Sequence, residues 1–388
     1  MKHPHLSIVL AAATAAAALA VTSAPNASAS GATFAQSGSS NHPVGAVFVQ
    51  TDDLAHNAII AYDRGADGRL TRAGTYATGG AGAAVTGAVV DPLASQGSLT
   101  LDRRHGLLFA VNGGSDTVTV FGVDGSRLVR RQILSTHGDL PVSVGVSGDL
   151  VYVLNARGGG SITGYHVAGR RVEPLSGSTR ALNLAPNSNP EFLQTPSQVA
   201  ITPDGRAVVV ATKTHGTLLV FPLNGHGRPA ASPVVTPSGT VPFALSFDRS
   251  RHLLVVDATG FASSYAVNRD GTLALVSKAG PTGQAAACWT VFVRGTLYAA
   301  NAGSNSITAF KDHRGQLTIS DATAATTGAG PVDIAASRNG HFVYQLTGGS
   351  GQVNQYRRGS DGSLTPIGTV NTGLGAASGN ANEGIAAS

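Results

Sequence analysis

The sequence predicts an all-β fold, a seven-bladed β-propeller whose ring is closed by pairing the C-terminal strand with the N-terminal blade. Three observations predict it. A unit of two apolar strands, a polar loop and a closing aromatic recurs seven times, its closing aromatics lie 59, 44, 56, 44, 45 and 46 residues apart, and the end of the chain repeats an inner strand. A period of about 40–50 residues with four short strands per unit is typical of propeller blades.

The seven copies share an apolar run on each side of a short polar loop. In chain order they are AVFVQTDDLAHNAIIAY ending at Tyr62, LLFAVNGGSDTVTVF at Phe121, LVYVLNARGGGSITGY at Tyr165, AVVVATKTHGTLLVF at Phe221, HLLVVDATGFASSY at Tyr265, TLYAANAGSNSITAF at Phe310 and HFVYQLTGGSGQVNQY at Tyr356. Asp-Gly pairs such as Asp270-Gly271 and Asp361-Gly362 follow the closing aromatic, and they predict type I′ hairpins between the third and fourth strands.

The first unit lacks an inner strand, and the last residues supply one. Gly384-Ile-Ala-Ala-Ser388 repeats Asp333-Ile-Ala-Ala-Ser337 of the seventh unit. We therefore expect the C-terminal strand to pair with the N-terminal unit, which removes two exposed sheet edges.

The N-terminal residues predict export. Residues 1–29 have the cationic start, apolar run and Ala-Ser-Ala end of a secretory signal peptide. Residues 30–43 are rich in Gly, Ser and Asn and are expected to be a disordered leader, and residues 44–388 form the propeller. The predicted location is secreted, with no membrane span after signal removal.

The composition of the chain narrows the classes of partner that it is expected to bind. The formal charge is +5, but the Arg-Arg pairs lie in separate units without interleaved aromatics, so no nucleic acid partner is predicted. A single cysteine, Cys288, excludes an intrachain disulfide. The chain is expected to be a monomer, and attraction to an anionic cell-wall polymer fits its basic charge.

Propeller topology gathers two sets of loops on one face. They are the loops between second and third strands and the loops between blades, of which residues 78–98 and 182–196 are the longest. Binding residues are common on such loops. The candidate ligand-binding residues of this face are Asn112, His137, Asn155, Asp257, Trp289 and Asn301.

The strings LYAANAGSNSITAF, ITPDGRAVVV and VYVLNARG resemble the seven-bladed lactonase-like family, with its 6-phosphogluconolactonase and carboxymuconate cyclase relatives. They are also similar to surface-layer propellers with a Tyr-Val-Thr-Asn repeat. The first resemblance implies a water-accessible funnel whose His, Arg and Glu side chains open or close a lactone ring, without a cofactor.

This chain keeps only some of the residues that the resemblance implies for the funnel. Val142 and Gln198 stand where the resemblance implies histidines, and Thr212-Lys213 replaces an Asn-Glu pair. Lactone hydrolysis needs a proton acceptor near water and a cation near the developing oxyanion. The candidate catalytic residues are Arg157, Glu191, His215 and Lys213.

Two functions stay open. The chain is either a cofactor-independent lactonase-type hydrolase acting on a small lactone or cyclic ester, or a non-catalytic secreted propeller that binds a carbohydrate-like ligand, a cell-wall polymer or a protein. No metal site is predicted, because His137, Asp139 and His215 lie on separate loops. Trp289 is either packed between blades or a platform for a sugar at the mouth of the funnel.

Overall fold

The fold follows from the repeated strand pattern. A computed structural model of the chain describes residues 43–374 and 382–388, so the predicted signal peptide and most of the predicted leader lie outside the described residues. Its strands form seven antiparallel sheets, one for each blade of a propeller. The predicted all-β, seven-bladed fold is confirmed. No helix among the described residues is both long and apolar enough to cross a membrane.

The first four blades contain strands β1 to β16 in chain order. Blade 1 contains β1 (Gly45–Gln50), β2 (Ala58–Arg64) and β3 (Leu70–Ala77). Blade 2 contains β4 (Leu99–Asp102), β5 (Leu107–Asn112), β6 (Thr117–Asp124) and β7 (Arg127–Ser135). Blade 3 contains β8 (Pro141–Ser147), β9 (Leu150–Asn155), β10 (Ser161–Ala168), β11 (Arg171–Pro174) and β12 (Arg180–Ala181). Blade 4 contains β13 (Gln198–Ile201), β14 (Ala207–Ala211), β15 (Thr217–Pro222) and β16 (Val234–Pro237).

The remaining blades repeat this arrangement. Blade 5 contains β17 (Pro242–Phe247), β18 (Leu253–Asp257), β19 (Phe261–Val267) and β20 (Leu273–Ala279). Blade 6 contains β21 (Ala287–Val293), β22 (Thr296–Asn301), β23 (Ser306–His313) and β24 (Gln316–Thr326). Blade 7 contains β25 (Pro331–Ala336), β26 (Phe342–Thr347), β27 (Gln352–Arg358) and β28 (Leu364–Asn371). The final strand is β29 (Ile385–Ala387). The helices of the described residues are one α-helical turn, α1 (Glu191–Gln194), and the 3₁₀ turns Gly113–Ser115 and Lys213–His215.

The ring is closed as the sequence predicts. Strand β29 pairs antiparallel with β1, in the register Val47 with Ala387 and Val49 with Ile385. It is therefore the inner strand of blade 1, and the sheet order is β29-β1-β2-β3. Inner strands of all seven blades surround a central channel.

Tyrosines join neighbouring blades. The closing aromatic Tyr165 donates its hydroxyl hydrogen bond to Ser135 O of the preceding blade, and Tyr356 does the same to Thr326 O. Tyrosines of the second strands bond to the following blade instead. Tyr344 of blade 7, for example, donates to Gly68 O of blade 1. A buried phenol needs such a partner, so these residues hold the blades in register.

The predicted type I′ hairpins are wrong in one detail. Only the glycine of each pair adopts a left-handed conformation, with φ of +89° at Gly271 and +91° at Gly362. Each aspartate instead accepts the backbone N–H two residues ahead, at 3.0 Å for both Asp270 and Asp361. The side chain closes the turn, which removes the need for a second positive φ.

Deleting residues 385–388 should lower the free energy of unfolding by at least about 3 kcal/mol, because it removes the buried Ile385 side chain and exposes the edge of β1. Urea denaturation of the deletion protein, with Ser360→Ala on an exposed hairpin as the control, measures this. An unchanged midpoint would show that the ring does not depend on β29.

Candidate functional site

The long loop between blades 1 and 2 closes the loop face of the channel. We call residues 83–96 the plug. Its residues reach across the axis: Ser95 Oγ donates to Val142 O in blade 3 at 2.8 Å, and Gln96 N donates to Ser197 O at the start of blade 4 at 3.1 Å. On the opposite side, Gln96 exchanges two hydrogen bonds with the backbone of Thr290 in blade 6, at 2.6 and 2.9 Å.

Asp91 shapes the plug. Its carboxylate accepts backbone N–H groups from Leu93, Ala94 and Ser95 at 3.1, 2.8 and 3.0 Å. The Leu93 side chain is completely buried. A carboxylate that holds three consecutive amides fixes a tight turn, so the plug is an ordered part of the core.

A buried group of ionisable side chains lies beneath this turn. Asp91 hydrogen-bonds to Glu383, whose carboxyl oxygens also accept Leu93 N at 3.2 Å and Ser95 Oγ at 3.3 Å. Burial raises the pKa of Asp91, and it raises the pKa values of Asp52 and Glu383 well above their usual range. Carboxyl groups that share a hydrogen bond need a proton between them, so this group is at least partly protonated at neutral pH.

Lys213 is the cation of this group and is 1% exposed. Its ammonium donates to Ala94 O of the plug at 2.9 Å, to Phe192 O at 2.6 Å and to Thr195 Oγ1 at 3.0 Å. Burial lowers the pKa of Lys213 to about 7, against the opposing charge of Asp91. All three donor positions are used in joining the plug to α1.

The other candidate catalytic residues also surround α1. The Arg157 guanidinium contacts Glu191 at 2.6 Å, and Glu191 accepts Thr86 N at 2.7 Å. The hydrogen bond from Arg157 lowers the pKa of Glu191. His215 Nε2 lies 2.9 Å from Gln194 O. The four residues are therefore brought together around one helical turn, with their polar atoms in contact with it or with the neighbouring loop.

The candidate ligand-binding asparagines form a repeated clamp within their blades. Asn112 Nδ2 donates to the hydroxyls of Thr117 and Thr119, and Asn301 Nδ2 donates to those of Ser306 and Thr308, each at about 3.0 Å. Asn155 donates to Ser161 at 3.2 Å. The side chains are buried, so they join the second strand to the third rather than facing solvent.

The remaining candidates differ in exposure. Asp257 is buried and accepts Thr259 N at 2.9 Å, whereas His137 is exposed on its loop. Trp289 packs edge-to-face on Phe243 of blade 5, with ring centroids 5.1 Å apart. Its indole N–H donates to Ser95 O of the plug at 2.7 Å. Trp289 thus has the interblade packing role, with an additional contact to the plug.

The positions of the implied histidines have structural roles as well. Val142 is fully buried beside the plug. The Gln198 amide pairs with the backbone of Leu245 in the next blade, at 3.1 and 2.6 Å. Neither position offers a proton acceptor to the channel.

The channel is open on the opposite face, where the hairpins between first and second strands lie. It has a volume of about 900 Å³ and is lined by inner strands of all seven blades. Gln96 and Asp333 lie among the lining residues near its closed end. Asp333 Oδ2 accepts Ile385 N at 3.1 Å, and burial raises the pKa of Asp333 to about 7.

Four residues of the plug and the channel are not among the candidates predicted from the sequence: Asp91, Gln96, Asp333 and Glu383. Asp333 had a usable signal, because an acidic residue interrupts the apolar inner strand PVDIAA. Glu383 is one of only three glutamates and directly precedes the closing strand. The plug carries no comparable signal, since Asp91 and Gln96 are isolated among small and apolar residues.

Replacing Asp91 with Ala should loosen the plug, because three backbone N–H groups lose their acceptor. Trp289 is the only tryptophan, so its emission should shift to the red and acrylamide quenching should increase. Asp139→Ala, on an exposed loop of the same face, is the matched control. Equal quenching in both variants would contradict a plug held by Asp91.

Asp333 should make stability depend on pH. Its folded-state pKa of about 7 lies above the ordinary aspartate value, so its contribution is complete below about pH 4 and is lost as the pH rises through 7. Asp333→Asn should therefore reduce the fall in Tm between pH 4.5 and 7.5, measured by calorimetry. A variant with the same pH dependence as the wild-type protein would refute this assignment.

Comparisons with known proteins agree with the geometry. The family model "Lactonase, 7-bladed beta-propeller" matches residues 290–376. No curated protein matches the chain in sequence.

Solved structures match over most of the chain. A putative 6-phosphogluconolactonase from Bacteroides uniformis has a TM-score of 0.69 at 15% identity, covering 89% of this chain and 100% of that one. The periplasmic gluconolactonase of Pseudomonas aeruginosa has a TM-score of 0.65 at 19% identity, covering 88% and 98%. The predicted resemblance is confirmed: residues 290–376 carry the lactonase-family pattern, and the propeller shares the fold of these proteins.

Proposed function

We propose that this lactonase-like propeller is a non-catalytic binding protein, and that its ligand enters the central channel from the hairpin face. The observation that supports this most is the plug. It occupies the loop face of the channel, and its Ser95 and Gln96 contact blades 3, 4 and 6. A ligand therefore has access to the inner strands from the opposite side.

The chemistry of the loop face also supports binding over hydrolysis. A general base for lactone opening needs a pKa near the working pH and contact with water. Glu191 has a lowered pKa and is engaged by Arg157 and Thr86 N, and Lys213 is buried with its donors used. The groups that would accept a proton and stabilise an oxyanion are thus committed to holding the loop structure.

Lactone hydrolysis is the second candidate. One observation favours it: the Arg157–Glu191 pair is partly open to solvent, with 38% and 22% of the two side chains exposed. Surface ion pairs contribute little to stability, so a substrate could displace this one at low cost. Hydrolysis would then occur at the rim of the plug, outside the channel.

The sequence adds an expected location and an expected class of partner to this proposal. The signal-like residues 1–29 would deliver the mature propeller outside the cell, as a monomer. There its ligand would be a carbohydrate-like or other small molecule, with a cell-wall polymer or a protein partner as the alternatives.

The mature protein should hydrolyse no lactone faster than buffer does in a pH-stat assay with glucono-δ-lactone, γ-butyrolactone and longer-chain lactones. Loosening the plug by Asp91→Ala should not create activity, because burial raises the pKa values of Asp52 and Glu383 beneath it well above their usual range and disfavours the ionised form that a general base needs. The opposite outcome is lactone turnover by the wild-type protein. In that case turnover would be abolished by Glu191→Gln, Arg157→Ala or His215→Ala and retained by the control Asp139→Asn. That result would replace the binding proposal with lactone hydrolysis at the rim.

A further inference from the structure

Four arginines meet at the open mouth of the channel. Each lies in the hairpin that joins the inner strand of its blade to the second strand, and all four line the channel and are exposed: Arg103, Arg249, Arg294 and Arg338. Three of them belong to the consecutive blades 5, 6 and 7. Blades 3 and 4 carry no arginine at the corresponding lining positions, so the positive charge is concentrated on one side of the mouth.

This charge has no ionic partner among the residues that the structure describes. Across residues 43–374 and 382–388, none of the four arginines makes an ion pair. Arg103 donates to Ala336 O and Ala387 O, and its pKa is lowered by burial and by the charge of Arg338. One lining carboxylate, Asp248, is already engaged by His252 Nδ1 at 2.7 Å and has no exposed side-chain surface. Like charges held together at the mouth of a low-dielectric channel attract an anion.

The channel behind the arginines carries both apolar and polar side chains on its wall. Its partly exposed wall residues include Leu101, Val146 and Phe247. Asp333 lies five positions before Arg338 on the same inner strand and hairpin, which places the closed end about 16 Å from the mouth. A cavity of about 900 Å³ with apolar side chains on part of its wall and several cations at one end has the size of a small-molecule site.

We propose that this channel binds a small organic anion, with its carboxylate, phosphate or sulfonate group held by Arg249, Arg294 and Arg338 and its apolar body against the inner strands. Guanidinium groups suit such ligands because they donate two parallel hydrogen bonds to an oxyanion. The inference rests on the proposed function and names the ligand class of the same channel.

The probe for this site is 8-anilinonaphthalene-1-sulfonate, an anion with an apolar body whose fluorescence rises on binding. Arg249→Gln/Arg338→Gln should weaken binding at least tenfold, since neither side chain makes a hydrogen bond within the described residues and the fold should be unaffected. Arg228→Gln/Arg269→Gln removes the same charge from peripheral hairpins of the same face. It should change the Kd less than twofold.

A second variant tests the channel itself. Val146→Trp fills the cavity without changing charge and should also abolish binding, while circular dichroism and Tm report folding. Octanoate or octyl phosphate should displace the probe and octanol should not, and the order of the two anions distinguishes carboxylate from phosphate preference. Equal losses in the two arginine pairs, or binding unaffected by Val146→Trp, would overturn the proposal.

The two proposals fail separately. Lactone turnover at the rim with intact probe binding would remove the non-catalytic role and leave the anion site. Absence of channel binding without lactone turnover would remove the anion site alone.

Discussion

The antiparallel pairing of β29 with β1 is the contact on which the rest of the structure depends. It closes the ring, and closure creates the channel that every inner strand lines. It also positions Glu383, which directly precedes β29 and holds Leu93 N and Ser95 Oγ of the plug. The closing strand and the plug are therefore coupled through one buried carboxyl group. Because Trp289 and Lys213 also donate to plug carbonyls, blades 4 and 6 share that coupling.

The plug separates the loop face of the propeller from the open channel on the hairpin face. On the loop face, the candidate catalytic side chains hold α1 and the plug in place. On the hairpin face, the channel stays open and carries positive charge. The chain shares its fold with a gluconolactonase, and one scaffold can support different functions through its loops.

The blades and their closure could be predicted because their signals are local. Apolar alternation, Asp-Gly turns and the repeated Ile-Ala-Ala-Ser string each lie within a few residues of the sequence. The plug could not be predicted, because Ser95 and Gln96 contact backbone atoms of Val142 and Thr290 that lie far away in sequence. A hydrogen bond to a backbone acceptor does not require a particular residue type at the acceptor position, so it leaves no pattern in the sequence. The sequence also predicts ligand binding by Asn112 and Asn301, whereas both side chains bind neighbouring hydroxyls of their own blade. The two roles use the same residue type, so the sequence does not distinguish them.

Blade 1 has a consequence for synthesis of the chain. Ala46 hydrogen-bonds to Ser388 across 342 residues, so the first blade to leave the ribosome is the last to be completed. Until β29 emerges, β1 keeps an unpaired edge and Glu383 cannot support the plug. Such long-range pairing slows folding. The nascent propeller must therefore be protected from edge-to-edge association throughout translation, and it gains its channel and its plug in the same final step.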